Sequence, residues 1–142
     1  MSGCKLFCLI AVLLFPIMAR AQDTTAVSID KYVEELNAQC PISYSDNWGV
    51  NSFTMVDNRY ALVDVQLPSN LSMILSSLTA DTDNVKKLWI RQLGQYGEQW
   101  NRFVDMMVEA DRRIIINLRP GDSENTALIT FYPTDFEQDR QR

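Results

Sequence analysis

Residues 112–133 decide the fold. They read Arg112-Arg113-Ile114-Ile115-Ile116-Asn117-Leu118-Arg119, then Pro120-Gly121-Asp122-Ser123-Glu124-Asn125, then Thr126-Ala127-Leu128-Ile129-Thr130-Phe131-Tyr132-Pro133. Two runs rich in β-branched and aromatic residues flank a segment of turn-forming Pro, Gly, Asp and Asn, which predicts a β-hairpin. Because successive strand side chains point to opposite faces, Ile114, Ile116 and Leu118 should share one face. The other face should carry Arg113, Asn117 and Arg119.

A second hairpin is predicted earlier in the chain. Val50–Val56 and Arg59–Leu67 have strand character, and Asp57-Asn58 between them tolerates left-handed backbone. With this two-residue turn, Met55 should oppose Tyr60, and Phe53 should oppose Leu62. Val50, Val63, Val65 and Leu67 should then lie on the opposite face. Both faces of this hairpin would therefore carry apolar residues.

Helical periodicity fills most of the remaining chain. A first helix is predicted from Ser28 to about Gln39, and a short helix follows Pro68. Apolar residues keep helical spacing from Val85 to Val108. Two glycines in this stretch, Gly94 and Gly97, each cost roughly 1 kcal/mol relative to Ala in a helix interior. We therefore expect a kink or break there and two helices.

The order of predicted elements is α-β-β-α-α-α-β-β. Two local hairpins with helices between them indicate an α+β domain, in which a four-stranded antiparallel sheet has helices packed on one face. We assign this domain to residues 28–136. A polar leader, residues 22–27, should precede it, and a polar tail, residues 137–142, should follow it.

The N-terminus has the features of a secretory signal peptide. A basic start is followed by the apolar run Leu6–Met18 and by Ala19-Arg20-Ala21, which has small residues where a signal peptidase reads. A membrane anchor is the alternative, but the run is shorter than the ~20 residues that a spanning helix needs. We expect cleavage after Ala21, export to the periplasm or the exterior, and no stable membrane span afterwards.

Charge and cysteine content limit the possible partners. Cleavage would remove two of the 13 basic residues and none of the 18 acidic residues, which leaves a net charge of −7. Nucleic acid is not an expected partner, because it requires clustered Lys and Arg. Only Cys40 would remain of the three cysteines, so no intrachain disulfide could form.

Three segments together resemble a group of small exported bacterial proteins. They are Leu36-Asn37-Ala38-Gln39-Cys40-Pro41, the broken helical stretch Val85–Gln92 with Trp100–Val108, and the closing segment Ala127–Asp135. This combination is similar to uncharacterised secreted or periplasmic proteins. The resemblance implies the α+β fold, but it implies no reaction, ligand or catalytic residue.

The sequence contains few residues or motifs that indicate catalysis. Histidine is absent, which removes Ser-His-Asp and Cys-His arrangements and the usual zinc sites. Cys40 follows a helix C-terminus on the apolar side, so we expect a buried, inert thiol. We predict no catalytic residue, cofactor or metal. A carboxylate-only hydrolase acting on carbohydrate remains the enzymatic alternative. Its candidate acids are Asp57, Asp64, Asp81, Asp83, Glu109 and Asp111.

Aromatic residues provide the main lead to a binding function. Tyr44 and Trp48 fall in a polar segment, where exposed aromatics can form a recognition surface. The alternative is that this segment folds back over the end of the core. We predict a non-enzymatic binding domain for an envelope protein or a glycan, with a contact surface at Tyr44, Trp48, Phe53 and Tyr60. A structural component that self-assembles through sheet edges is a further alternative.

Overall fold

The computed structural model describes residues 28–122 and 124–140. The predicted signal peptide, residues 1–21, and the polar leader, residues 22–27, lie outside the described part of the chain, as do residues 141 and 142 of the predicted tail.

The described chain forms an α+β domain with helices before, between and after its strands. Its elements are α1 (residues 28–38), β1 (Ile42–Ser45), β2 (Trp48–Val56), β3 (Tyr60–Leu67), a 3-10 helix (Ser69–Ile74) that leads into the single turn α2 (Leu75–Leu78), α3 (Asp83–Gly94), α4 (Glu98–Glu109), β4 (Arg113–Pro120), β5 (Ala127–Phe131) and α5 (Pro133–Arg140). None of the described helices is both long enough and apolar enough to cross a membrane.

The sheet is five-stranded and mixed, with the order β1-β2-β3-β4-β5. The prediction of a four-stranded antiparallel sheet is wrong in two respects. A fifth strand, β1, pairs with β2, and β3 pairs with β4 in parallel. The parallel pair arises because the chain leaves β3 at Leu67, returns through the helices, and enters β4 beside the start of β3, where Arg113 lies next to Tyr60. Parallel neighbours need this kind of long crossover.

The predicted register of the first hairpin is wrong by one residue. Val56 opposes Tyr60 and Phe53 opposes Val63, so three residues rather than two connect the strands. Asp57 and Asn58 do adopt left-handed backbone, with φ of 51° and 55°, but Arg59 belongs to the turn and its N–H donates to the Val56 carbonyl. A shift of one residue exchanges the two faces of a strand relative to its partner.

The corrected register places most of the apolar residues of the hairpin on the helical face. A β-bulge between Val50 and Ser52 keeps both Val50 and Phe53 on that side, although they are three residues apart. Val63, Val65 and Leu67 join them in the core. Both faces of the hairpin carry apolar residues, as predicted, because Val56, Tyr60 and Leu62 lie on the other side, but the predicted assignment of residues to faces is wrong.

The connection predicted between α1 and β2 is instead the β1 hairpin. Ile42 pairs with Val50, and Asn47 turns the chain with a φ of 65°. The two strands approach closely at Gly49, where a Cβ would collide with the carbonyl oxygen of Ile42. Glycine is therefore required at this position by space.

One core lies between the sheet and the helices. β3 and β4 alternate strictly between buried and half-buried residues, as expected for a sheet with one covered face. Ile114, Ile116 and Leu118 are buried, which confirms the face predicted from the sequence. Further core residues come from the helices: Ile29, Val33, Leu36, Leu75, Trp89, Leu93, Trp100, Phe103, Val104, Met107 and Phe136.

The long helical stretch breaks where its glycines predicted. α3 ends at Gly94 and α4 begins at Glu98, with Gly97 at a φ of 107° that favours glycine. At the other end of α3, Thr82 accepts a hydrogen bond from the Val85 N–H and caps the helix. The last element of the described chain is α5, which includes residues 137–140 of the predicted polar tail.

Substitutions at two adjacent isoleucines of β4 test which face of the sheet contributes more to the free energy of unfolding. Ile116→Ala should lower the free energy of unfolding by about 2–5 kcal/mol, because it opens a cavity in the core. Ile115→Ala, on the half-buried open face, should cost about 1 kcal/mol or less. Urea denaturation followed by tryptophan fluorescence measures both values. Equal losses for the two variants would contradict the assignment of faces.

Candidate functional site

The predicted contact residues do not share one surface. Phe53 is buried, with its ring 5.4 Å from Phe103 and 6.2 Å from Trp100. Tyr60 lies on the opposite face of the sheet, because it pairs with Val56 and Arg113, one residue out of phase with the core positions. The four residues therefore cannot form the single surface predicted from the sequence. Whether any of them contacts a partner stays a prediction.

Tyr44 and Trp48 pack against the helices. The Tyr44 ring stacks on Tyr96 with 4.1 Å between centroids, and the Trp48 ring lies 6.4 Å from Trp89. Both residues are half-buried. This arrangement matches the alternative in which the β1 segment folds back over the end of the core.

Tyr96 is the most perturbed titratable group at this end of the core. Burial, and secondarily the neighbouring Tyr44, raises the pKa of Tyr96 from 10.0 to about 12. Its buried hydroxyl has no hydrogen-bond partner among the described residues. Burial also raises the pKa of the Cys40 thiol, whose Sγ donates to the Leu36 carbonyl at 3.4 Å. These features agree with an inert Cys40, because a reactive cysteine needs a lowered pKa.

The second face of the sheet has no described helix over it and is called here the open face. Its members follow from the register: Ser52, Thr54 and Val56 on β2; Tyr60, Leu62, Asp64 and Gln66 on β3; Arg113, Ile115, Asn117 and Arg119 on β4; Leu128 and Thr130 on β5. Sequence reasoning placed Arg113, Asn117 and Arg119 on this side correctly. It missed Leu62, because the hairpin register was shifted.

One half of the open face is apolar. Leu62 lies beside Ile115, and the neighbouring row contains Val56 and Tyr60. The Arg113 guanidinium lies over the Tyr60 ring, 5.7 Å from its centroid. Thr130 continues the Leu62–Ile115 row on β5, whereas Leu128, which is 61% exposed, pairs with Asn117 in the next row. This half combines aliphatic, aromatic and guanidinium groups, which are common in protein contacts.

The other half of the open face is a connected polar network. Arg119 binds Asp64 at 3.2 Å, and the Asn51 amide donates to both Asp64 and Gln66. The Gln66 amide in turn donates to the carbonyls of Leu67, Arg119 and Gly121 at 3.3, 3.0 and 2.7 Å. The network ties β2, β3, β4 and the β4–β5 turn together. It leaves few free donors on its amides.

Two concave regions accompany these surfaces. A cleft of about 400 Å³ beside the polar half is lined by residues that include Asn47, Gln66 and Asp122. A groove of about 410 Å³ between α1 and the β2–β3 hairpin contains Asp30, Glu34 and Asp57 among its lining residues. No group of three or more potential metal-ligating side chains occurs in the described part of the chain.

The candidate acids occupy several elements. Asp64 is in the polar network, and Asp57 is in the hairpin turn beside the groove. Asp81 and Asp83 lie on either side of the Thr82 cap of α3. Glu109 ends α4 and Asp111 follows it, so each of these last four lies at a helix end.

The fold and its surfaces define a small α+β domain with one helical layer and one open sheet face. Its comparison with solved structures gives a match to a candidate secreted protein from Pseudomonas aeruginosa, with a TM-score of 0.51 and 8% sequence identity, covering 79% of this chain and 92% of that chain. The match shows a shared fold, in line with the resemblance found in the sequence. No protein-family model matches the chain, and no curated protein matches it either.

The raised pKa of Tyr96 can be tested through the pH dependence of stability. The unfolded chain loses the Tyr96 proton near pH 10.0, whereas the folded chain keeps it to about 12. The free energy of unfolding should therefore decline as the pH rises through this range, and the contribution should be intact below it. Tyr96→Phe should reduce the decline in urea denaturation measured at a series of pH values. At pH 7 the variant should match the wild type within about 1 kcal/mol, because the hydroxyl has no described partner to lose. An unchanged decline in the variant would contradict the assignment.

Proposed function

We propose that this chain is an exported, non-enzymatic binding domain whose open face contacts an acidic segment of a partner protein. The proposal of export is supported by the signal-like residues 1–21 and by the fold shared with a candidate secreted protein. The proposal of binding depends on one observation. The described helices cover one face of the sheet and leave the other, with its aliphatic residues, to solvent.

The apolar half supplies the contact area. Leu62 and Ile115 lie side by side on β3 and β4, and Val56 and Tyr60 occupy the row next to them. Open antiparallel sheets usually place polar residues toward water. Burying these four residues against a partner would remove apolar area from water, at roughly 25 cal/mol per Å².

Charge indicates the chemistry of the partner. The whole chain carries a net charge of −5, but the strand residues of the open face include two arginines, Arg113 and Arg119, and one acid, Asp64. Asp64 is paired with Arg119. Arg113 forms no ion pair with any described residue, so its guanidinium on Tyr60 is available for a carboxylate. An acidic segment with apolar residues would complement this surface.

A protein fits this surface better than a glycan does. Glycan recognition needs many free hydrogen-bond donors, because sugars present numerous hydroxyl groups. The amide donors of Asn51 and Gln66 beside the cleft are already bound within the polar network. The aromatic ring of Tyr60 is covered on one side by Arg113. The amides of the polar network and one side of the Tyr60 ring are therefore occupied, whereas Leu62, Ile115 and the Arg113 guanidinium are available for a protein contact.

The groove beside α1 favours a second candidate, the carboxylate-only hydrolase. It is concave, and Asp30, Glu34 and Asp57 line it. However, Asp30 is bound to Arg112 at 3.3 Å, and Glu34 and Asp57 are exposed to solvent. A general acid for glycoside cleavage needs apolar enclosure, which these groups lack. Hydrolysis of a polysaccharide by the mature protein, lost in Glu34→Gln, would replace the binding proposal with this one.

Export is tested by the processed N-terminus. When the full chain is expressed in a bacterium, N-terminal sequencing of the exported form should find Gln22 as the first residue. Ala19→Lys should block processing, because signal peptidases require small residues there. Recovery of the wild-type protein only in the cytoplasm, or of an exported form that keeps residues 1–21, would overturn the expectation.

Site-specific photo-crosslinking tests the open face. A photoreactive amino acid at Leu62 should give a discrete crosslinked product in the bacterial envelope, and mass spectrometry should identify its partner as a protein. The same group at Leu88, which is 58% exposed on α3, provides the control. Equal products from both positions, or none from Leu62, would contradict the proposal.

Charge reversal then tests the chemistry of that partner. Arg113→Glu should weaken binding of the identified protein by about tenfold or more, as expected when a charge pair is replaced by repulsion. Arg91→Glu, on the exposed surface of α3, makes the same change of charge away from the open face. Isothermal titration calorimetry compares the two variants. A similar loss of affinity in both would show a general charge effect and contradict a role for Arg113.

A further inference from the structure

The two edges of the sheet differ in their protection. β1 forms one edge, and it is four residues long, with a register irregularity between Ser43 and Ser45. Short length and bulges are among the features by which proteins prevent edge strands from pairing with other chains. β5 forms the other edge, and no described strand pairs with its outer side.

β5 lacks the usual protection. Its five residues, Ala127 to Phe131, contain no charge, no proline and no glycine, and they pair with β4 in unbroken antiparallel register. Leu128 on this strand is among the most exposed large apolar residues of the described chain. An uncharged, regular edge of this kind is a template for a further strand.

We propose that β5 pairs with β5 of a second copy of this chain, in antiparallel orientation, and so extends the sheet across a twofold dimer. If the two-fold axis passes through Ile129, all five residues of β5 pair with β5 of the second copy. Leu128 then lies opposite Thr130 of the other copy, and Ala127 lies opposite Phe131. These two pairs each combine a larger with a smaller side chain, and both faces of the sheet continue from one copy to the next.

Charge favours a second copy as the occupant of this edge. Copies of an acidic chain repel one another over most of their surface, and the mature form would carry a net charge of −7. Along β5 no charged residue faces another, so this edge is a place where two copies can meet without opposing like charges. The partner proposed for the open face is acidic and is expected to bind near Arg113 on β4, whereas β5 itself carries no charge.

The expected dimer is weak, because a single pair of five-residue strands buries less area than the roughly 1,200 Å² of a stable interface. Sedimentation analysis of the mature chain should therefore be carried to about 1 mM, where an association with a millimolar-range dissociation constant is still visible. We expect reversible monomer–dimer behaviour. A chain that stays monomeric at this concentration overturns the proposal.

Introducing charges of either sign at positions 128 and 130 tests whether β5 pairs with β5 of a second copy. The double variant L128K/T130K would oppose lysine with lysine in both symmetry-related pairs, and L128E/T130E would oppose glutamate with glutamate. Each variant alone should dissociate on the order of tenfold more readily, because like charges directly opposite each other destabilise strand pairs. An equimolar mixture should recover the dimer, since each pair then has opposite charges.

The controls separate this pairing from other contacts. Leu88→Lys and Leu88→Glu change the charge at a similarly exposed residue of α3 and should leave dimerisation unchanged. Circular dichroism shows whether the double variants fold. A dimer that persists in both double variants, or a mixture that does not recover association, overturns β5 pairing. A wild type that stays monomeric overturns it as well, whether or not L128K/T130K loses an identified partner.

Discussion

The parallel pairing of β3 with β4 is the constraint on which the rest of the structure depends. These two strands form the centre of the sheet, and each presents a continuous row of buried aliphatic side chains to the helices. A parallel pair cannot be closed by a short turn, so the chain between Leu67 and Arg113 must cross the sheet. That crossing segment contains α2, α3 and α4, and it supplies most of the covering layer. The topology and the one-sided core therefore have the same origin.

The sequence predicted the elements better than their pairing. Alternation along Ile114–Leu118 identified the buried face of β4, and the glycines at 94 and 97 located the break between α3 and α4. These signals are local, because side-chain periodicity and backbone freedom depend on neighbouring residues. The direction of β3 relative to β4 is not local. It depends on where the chain re-enters the sheet after a crossover of about 45 residues. A short sequence pattern does not contain this information.

The candidate site was harder to predict for a related reason. The register at Asp57-Asn58 depends on whether Arg59 belongs to the turn, and this one residue decides which side Leu62 occupies. Tyr44 and Trp48 have a polar sequence environment, yet their partners Tyr96 and Trp89 are far away in the chain. The polar segment around Tyr44 and Trp48 therefore indicated exposed side chains, whereas tertiary packing leaves both of them half-buried. Arg113, in contrast, was placed correctly because its strand alternates regularly.

The division of the open face follows from the same strand alternation. Positions that face away from the core are free of the packing that selects aliphatic residues, and Asp64, Gln66, Asn117 and Arg119 show the expected polar character. Leu62 and Ile115 depart from it, although both lie on the same face as these polar residues. The polar half satisfies its own hydrogen bonds through Asn51 and Gln66, which makes it a rigid support rather than a source of free donors. The apolar half, with Arg113 over Tyr60, is consequently the part of the open face that a second molecule can contact without breaking existing hydrogen bonds.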